Sequence, residues 1–330
     1  MRVNAVFQGG GVKGIGLVGA VTAAERYGIT FARTAGTSVG AIVAALIAAG
    51  YRADEMREII ESTPLGSLIK KDWYHYVLAM GPIVRVLVKK GLYSSDPLEL
   101  WIAKHLAAKG VYTFRDLPDG ALLVVASDIS QGKMLVLPND ITQYGLDPMS
   151  FSVAKAVRMS SSLPYFFEPS ILTSLSASAG KRFARKQRYY IVDGAILSNY
   201  PLWIFDRESQ GRDVLTPTLG FQLVGKTQVE PRTIRGPITM LNALFSTMMS
   251  AHDERYIEKH SRFRTIKIPS GMVNTTDFNL SKEKSLELFE SGLLAGEQFF
   301  GKWSVAKYLS EWDIWKKRLQ QLQALKQKYD

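Results

Sequence analysis

The first fifty residues contain one local pattern twice: a short apolar segment, a glycine-rich turn, and then an apolar segment suited to a helix. Val3 to Gln8 predicts a strand that ends in GGGVKG, and a helix from about Ile15 to Tyr27 follows. Ile29 to Ala35 predicts a second strand, and GTSVG leads from it into the run VGAIVAALIAAGY. This order is typical of a parallel α/β sheet with helices on both faces.

Length and composition predict a folded protein with one large core. The chain has 330 residues, 46% hydrophobic and 22% charged, with no internal repeat or convincing linker, so we expect residues 1–330 to form a single domain. Its longest apolar run, Val39 to Tyr51, is shorter than the about 20 residues that span a bilayer. The first residues have too few apolar side chains for a signal peptide. These features favour a cytoplasmic protein, with peripheral membrane association as a candidate.

Charge and residue types exclude several classes of site. The chain has no cysteine, which rules out disulfides, thiolate nucleophiles and cysteine-ligated zinc. Its four histidines show no metal-ligand spacing, so no metal is expected. A net charge of +11 favours an anionic partner, either nucleic acid or an acidic membrane surface. No nucleic-acid motif stands out, and we expect no nucleic-acid partner.

Further strands and helices are predicted downstream. Residues 121–127 and 133–138 predict a hairpin, and Asp96 predicts a helix cap with Pro97 at the first position and Glu99 reaching back. A helix is expected at 152–160 and strands at 189–192, 219–224 and 265–268.

Two segments are expected to lie at the periphery, and an amphipathic helix is expected at the C-terminal end. Residues 64–93 mix aromatic, aliphatic and lysine side chains, with Lys70, Lys71, Trp73, Tyr74 and Tyr76 suited to a membrane interface or to a cap over the active site. Residues 174–188 predict a basic loop, whose cations at 181–188 suit anionic headgroups or solvent. Residues 303–329 predict an amphipathic helix, with packing on the protein itself or on a second subunit favoured over membrane binding.

The glycine loop GGGVKG at residues 9–14 fits the dinucleotide pattern G-x-G-x-x-G between a strand and a helix. That site also requires an acidic residue about twenty positions on, and Thr30 to Gly36 contains none. A Walker loop fails as well, since no Lys-Ser or Lys-Thr pair follows Gly14. We therefore expect no cofactor. Three adjacent glycines leave consecutive N–H groups bare at a helix N-terminus, where they can hold an anion.

The segment Gly36-Thr37-Ser38-Val39-Gly40 is G-x-S-x-G between a strand and a helix, the setting of a nucleophile elbow. Its glycines allow a strained turn and a close crossing of strand and helix. In a parallel sheet this turn and the glycine loop leave from the same edge, so nucleophile and oxyanion donors would share one crevice. Taken alone, G-x-S-x-G could equally be a packing turn. No histidine is placed to act as the base, and the Asp193-Gly194 pair that ends a predicted strand is by itself typical of an ordinary turn.

The order of these motifs resembles that of patatin-like phospholipases, in particular bacterial ones. The glycine loop, the G-T-S-x-G elbow, the segment SSLPYFFEP and Asp193-Gly194-Ala195 follow each other as in that family, over residues 3 to about 200. The resemblance implies a three-layer α/β/α fold with a mostly parallel central sheet. It also implies a Ser–Asp dyad that hydrolyses lipid esters through an acyl-enzyme. The residues it assigns are Ser38 as nucleophile, Asp193 as proton acceptor, Gly9, Gly10 and Gly11 as oxyanion hole, and Gly14, Gly36, Gly40 and Gly194 as supporting glycines.

One residue departs from that pattern. Many relatives have arginine where this chain has Lys13, and lysine cannot contact a phosphate in bidentate fashion. The sequence therefore predicts an acyl lipid substrate without specifying a phosphate, a headgroup or an oligomeric state. Two alternatives remain open: a nucleotide- or anion-binding module that uses the glycine loop, and a catalytically silent membrane-binding relative.

Overall fold

The architecture was obtained from a computed structural model. It describes residues 1–69, 81–176, 185–208, 216–225, 261–271 and 280–329, together with single positions at 233, 234, 236, 240, 243, 247, 273 and 277. The predictions made on Lys70, Lys71, Trp73, Tyr74 and Tyr76, and on the cations at 181–184, lie outside these residues.

A single sheet of eight strands lies at the centre of the described part of the chain. Its strands in spatial order are β10 (Thr265–Pro269), β9 (Thr218–Val224), β1 (Arg2–Phe7), β2 (Thr30–Thr37), β4 (Leu122–Asp128), β8 (Arg185–Asp193) and β7 (Ser170–Ser176). The eighth, β5 (Lys133–Leu137), also pairs with β4.

The sheet is parallel on one side of β4 and antiparallel on the other. Every pair from β10 to β4 is parallel. β8 pairs antiparallel with both β4 and β7, and β5 pairs antiparallel with β4 as the predicted hairpin. Although β8 runs against β4, its register pairs Asp193 with Ala126, next to Val125, which pairs with Thr37 of β2. The end of β8 therefore lies beside the turn that follows β2.

Helices cover both faces of the sheet, which confirms the predicted three-layer α/β/α fold. Alternate side chains of β1 divide between two buried clusters: Val3, Ala5 and Phe7 belong to the larger one and Val6 to the smaller. Helices that contribute to the larger cluster are α1 (Gly14–Arg26), α2 (Val39–Ala48), α3 (Ala53–Ser62), α5 (Asp96–Ala108), α6 (Val153–Ser160) and α8 (Lys282–Phe300). The short helix α7 (Trp203–Glu208) lies on the other face.

Glycine residues allow helices α1 and α8 to pack at backbone contact. A Cβ atom on Gly19 of α1 would overlap the carbonyl oxygen of Phe289 in α8, and one on Gly292 would overlap the carbonyl oxygen of Gly16. The backbones of α1 and α8 therefore touch directly, which fixes α1 and the glycine loop at its start against the sheet.

A small unit containing α4 (Gly81–Lys89) borders the main sheet. Strand β3 (Gly91–Tyr93) pairs in parallel with β6 (Tyr165–Phe167). Arg85, almost fully buried, donates to the carbonyl oxygen of Gly91 at 2.6 Å and to Oε1 of Glu168 at 2.7 Å. This arginine ties α4 to the SSLPYFFEP segment. The pairing was not predicted because strands of three residues carry too little periodicity.

The predicted cap at Asp96 is wrong. Helix α5 already includes Asp96, Ser95 occupies the N-cap position, and the Asp96 N–H donates to Oγ of Ser94 at 3.1 Å. Arg158 of α6 attracts both carboxylates instead: its Nη2 lies 3.0 Å from Asp96 and its Nη1 lies 2.8 Å from Glu99. An ion pair between helices replaces the local capping box.

The basic loop predicted at 174–188 is shorter than expected. Strand β7 continues to Ser176 and β8 starts at Arg185, with these two residues paired. The exposed cation Arg188 therefore lies on a strand.

The C-terminal helix α9 (Val305–Tyr329) matches the predicted amphipathic helix, and its first turns pack on the protein itself. Tyr308 and Trp312 are buried, and the Tyr308 hydroxyl accepts a hydrogen bond from the Thr218 N–H at 3.0 Å. The Arg264 guanidinium lies 5.0 Å from the ring centre of Trp312 and 5.1 Å from that of Trp315. Asp206 binds it at 2.6 and 2.8 Å. These contacts join α9 to β9 and α7.

Candidate active site

The glycine loop and the elbow leave from adjacent parallel strands at the same edge. Phe7, at the end of β1, is in register with Gly36 near the end of β2. A Cβ on Gly36 would overlap the Gly40 carbonyl, and one on Gly40 would overlap the carbonyl oxygen of Phe7. Only glycine fits at these two positions, because the elbow crosses the neighbouring strand at backbone contact.

Ser38 lies at the tip of this turn in a strained conformation. Its φ of 55° and ψ of −126° are values that non-glycine residues rarely adopt. Helix α2 begins at the next residue, so the hydroxyl lies at a helix N-terminus, where the dipole favours negative charge. The Ser38 N–H donates to Oγ of Ser160 at 2.9 Å.

Asp193 meets Ser38 from the antiparallel side of the sheet. It is the last residue of β8 and is 2% exposed. Its Oδ2 accepts a hydrogen bond from the Ser38 hydroxyl at 2.7 Å, and its Oδ1 accepts one from the Ala195 N–H at 2.9 Å. A Cβ on Gly194 would overlap the Val125 carbonyl of β4, so glycine is also required after the aspartate.

Burial is the main influence on the acidity of this carboxyl group. Desolvation raises the pKa of Asp193 from 3.8 to about 7, although hydrogen bonds from Ala195 and Ser38 act in the opposite direction. The carboxyl group is thus balanced between its acid and base forms near neutral pH. A group that must accept and return a proton works best in that range.

The glycine loop lies against the Ser38 side chain. A Cβ on Gly9 would be 3.2 Å from Cβ of Ser38. The Gly9 N–H, however, donates to the carbonyl oxygen of Asn199 at 3.0 Å. The N–H groups of Gly10 and Gly11 donate to no backbone carbonyl within the described residues, and Gly11 has a φ of 57°. Of the three predicted donors, Gly9 is thus bonded within the protein through its N–H.

Sequence reasoning missed two residues that shape this site. Ser160 accepts the Ser38 N–H, and the Asn199 carbonyl holds the Gly9 N–H. Ser160 opens the run SSSLP, where three hydroxyls at the end of a buried helix were a usable signal. Asn199 acts through its backbone, and a backbone contact leaves no mark in the amino-acid sequence.

The described part of the chain offers no clustered ligands for a metal: no three His, Asp or Glu side chains there lie close enough to share an ion. Of the four histidines, His105 is described and packs edge-on against Trp101. A cavity of about 330 Å³ lies at the opposite ends of β2 and β4, beside Arg33 and Gly120, and is separate from Ser38. No described helix combines the length and the apolar character needed to traverse a bilayer.

Comparison with known proteins identifies the family. The model of the patatin-like phospholipase family matches residues 5–206, which include the glycine loop, Ser38 and Asp193. The chain belongs to the patatin-like phospholipase family. The resemblance inferred from the motif order is thereby confirmed, and a lipid hydrolase is supported at the level of the family.

Relatives at full length are similar but carry no assigned activity. An uncharacterised protein of Bacillus subtilis (strain 168), YqhO, is 41% identical over 305 residues, covering 92% of this chain and 100% of its own. An uncharacterised protein of Acanthamoeba polyphaga mimivirus is 25% identical over 309 residues, covering 89% of this chain and 92% of its own.

The solved structures that match this chain are more distant in sequence. VipD from Legionella pneumophila matches with a TM-score of 0.48 at 18% identity, over 91% of this chain and 66% of its own. ExoU of Pseudomonas aeruginosa, in its complex with SpcU, matches with a TM-score of 0.48 at 16% identity, over 91% of this chain and 51% of its own. The chain thus spans less than two thirds of the length of either protein.

Proposed function

We propose that this protein is a lipid acyl hydrolase in which Ser38 is the nucleophile and Asp193 is its general base. The observation that carries the proposal is the 2.7 Å hydrogen bond from the Ser38 hydroxyl to Oδ2 of Asp193. A serine in a strained elbow, bonded to a buried carboxyl group poised near neutral pH, is the minimum set for acyl transfer.

The dyad performs the reaction in two halves. Asp193 takes the Ser38 proton as Oγ attacks the ester carbonyl, and it passes that proton to the departing alcohol as the carbon–oxygen bond breaks. An acyl group then remains on Ser38. Asp193 next takes a proton from water, the hydroxide attacks the acyl-enzyme, and the fatty acid leaves as Ser38 regains its proton.

In this proposal, the glycine loop and the N-terminus of helix α2 stabilise the negative charge that develops on the substrate oxygen. We assign the developing oxyanion to the N–H groups of Gly10 and Gly11, since that of Gly9 is bonded to Asn199. Each such donor is typically worth about 10² to 10³ in rate. Gly14, Gly36, Gly40 and Gly194 serve as the supporting glycines that allow these approaches. Residues 1–330 act as one catalytic domain in this proposal, since α9 packs on β9 and α7.

An exposed apolar edge on α4 suits a substrate held in a membrane. Leu87 and Val88 of α4 are 74% and 66% exposed, and the exposed Lys89 and Lys90 follow them. The Lys90 ammonium lies 5.1 Å from the ring centre of Tyr190, three residues before Asp193 on β8. We propose that this edge contacts the acyl region while its lysines contact anionic headgroups.

Labelling with a fluorophosphonate probe followed by a lipid panel tests the proposal. We expect covalent labelling at Ser38 and release of fatty acid from lysophospholipid, phospholipid or neutral ester vesicles. Ser38→Ala should abolish both, and Asp193→Asn should reduce both by at least 10³-fold. Ser62→Ala, which removes an exposed hydroxyl bonded only within its own helix, is the matched control.

The outcomes separate this function from the alternatives. Full hydrolysis by Ser38→Ala would overturn the proposal. No labelling, combined with tight binding of a nucleotide or phosphate, would favour an anion-binding module. No labelling combined with vesicle binding would favour a silent membrane-binding relative.

A further inference from the structure

Ser160 joins the nucleophile to the centre of the sheet through a single hydroxyl group. It is the last residue of α6 and is fully buried. Its Oγ accepts the Ser38 N–H at 2.9 Å and donates to the Val125 carbonyl of β4 at 2.6 Å. The one proton of this hydroxyl is therefore committed to Val125, which turns a lone pair toward Ser38.

The same end of α6 also holds the base. The carbonyl oxygen of Ser162 accepts the Asp193 N–H at 2.9 Å. Ser38 and Asp193 lie 155 positions apart in the chain, yet both are bonded through their backbones to residues two apart. One short segment, residues 160–162, therefore holds both the nucleophile and the base in place relative to each other.

Ser38 needs such support because its backbone is strained. A non-glycine residue with a φ of 55° persists only where its surroundings determine it. Its N–H would otherwise be a partly buried donor without an acceptor, since Ser160 is its hydrogen-bond partner. Removing that acceptor leaves the elbow free to rotate toward a relaxed conformation, which moves Oγ away from Asp193.

We propose that Ser160 is a positioning residue that holds Ser38 at hydrogen-bond distance from Asp193. This inference rests on the proposed acyl hydrolase function. It differs from that function because Ser160 contacts neither the substrate nor the reacting atoms. Ser160 acts only through the Ser38 backbone.

Ser160→Ala, compared with Ser161→Ala, tests this role. Ser161 lies next in the chain and is 7% exposed, and its Oγ has no hydrogen-bond partner among the described residues. Both variants remove one buried hydroxyl at the same helix end, but only Ser160→Ala removes the acceptor for Ser38. We expect Ser160→Ala to lower kcat and the labelling rate of Ser38 by about 10- to 100-fold at unchanged KM. Ser161→Ala should change neither by more than about threefold.

The pH profile distinguishes positioning from a general structural effect. The hydrogen bond from Ser38 holds the Asp193 pKa below the value that burial alone would give. A looser bond in Ser160→Ala should therefore move the acidic limb of the labelling rate to higher pH. The limb should stay in place in Ser161→Ala.

Crystal structures of the wild type and Ser160→Ala separate the failure of this inference from the failure of the proposed function. A longer Oγ–Oδ2 distance and a changed Ser38 φ in the variant support positioning, even if the wild type hydrolyses no lipid. An unchanged distance, with wild-type kcat and an unmoved acidic limb, overturns the positioning role and leaves the hydrolase proposal standing.

Discussion

Oδ2 of Asp193 and Oγ of Ser38 share a hydrogen bond of 2.7 Å at a place where the carboxyl group is almost fully shielded from water. The two residues come from strands that run in opposite directions and join the sheet on opposite sides of β4. In the proposed dyad, burial gives the carboxylate a basicity that an exposed aspartate lacks, so the proposed reaction needs no imidazole.

The first prediction concerns the pH dependence of catalysis. Because burial raises the pKa of Asp193 to about 7, the base form is the minority species at pH 6 and the majority at pH 8. We expect kcat/KM for an uncharged ester to rise about tenfold per pH unit below the pKa and to level off above it. A profile that is flat from pH 5 to pH 8 would contradict this assignment.

A second prediction concerns stability, because the same pKa shift penalises the folded state at high pH. Folded protein binds the Asp193 proton more tightly than unfolded protein does, so its stabilising contribution is present below about pH 4 and is lost as the pH rises through about 7. The loss is of the order of a few kcal/mol. Asp193→Asn has no such dependence. Denaturant unfolding of both proteins from pH 4 to pH 8 should show the variant gaining relative to the wild type as the pH rises. A constant difference would refute the shift.

Gly40→Ala tests the close crossing at the elbow. The added methyl group would overlap the Phe7 carbonyl, an atom of the rigid β1 backbone. We expect the free energy of unfolding to fall by about 3 kcal/mol, with loss of Ser38 labelling, as measured by urea unfolding. Gly225→Ala is the control, since a methyl group there meets no atom within 4 Å. Equal effects of the two substitutions would count against the crossing.

For the buried pair of Arg264 and Asp206, we expect a single substitution to lower the free energy of unfolding more than a double substitution does. Arg264 is 1% exposed and stacks near Trp312 and Trp315 of α9. Asp206→Leu leaves a buried guanidinium without its anion, which should cost about 3–5 kcal/mol. Replacing both residues with Met and Leu should restore most of that loss. Thermal unfolding of the wild type, Asp206→Leu, Arg264→Met and the double variant gives the coupling energy, and simple additivity would disprove the coupling.

Vesicle binding tests the apolar edge of α4. Leu87→Asp places a charge beside Lys89 where we expect acyl chains, so affinity for vesicles with anionic lipid should fall about tenfold or more. Leu294→Asp, at a 56% exposed leucine of α8, is the matched control and should bind as the wild type does. Co-sedimentation at low and high salt measures both. An equal loss of vesicle affinity in the two variants would show that α4 is not part of the membrane contact.

The sequence predicted the elements whose signals are local. The two strand–turn–helix repeats place Ser38 and the glycine loop correctly, because glycine requirements and apolar runs depend on near neighbours. The convergence of Asp193 on Ser38 was expected only through the family resemblance. No periodicity could indicate that β8 reverses direction beside β4.

What the sequence did not predict depends on distant partners. Asp96 and Glu99 pair with Arg158 because α5 and α6 pack together, and an isolated helix would have used them as caps. The Gly9 N–H is bonded by a backbone carbonyl 190 residues away. Such contacts become visible only once the fold brings the segments together.

The left-handed backbone at Ser38 has an evolutionary consequence. Glycine adopts a φ of 55° without steric strain, so Ser38→Gly should relax the turn by about 1 kcal/mol or more while removing the hydroxyl. A descendant released from selection for chemistry would thus gain stability through a single substitution at the elbow. The protein with serine at position 38 is therefore less stable than one with glycine there. Natural selection has reason to keep the serine only while its hydroxyl group takes part in function.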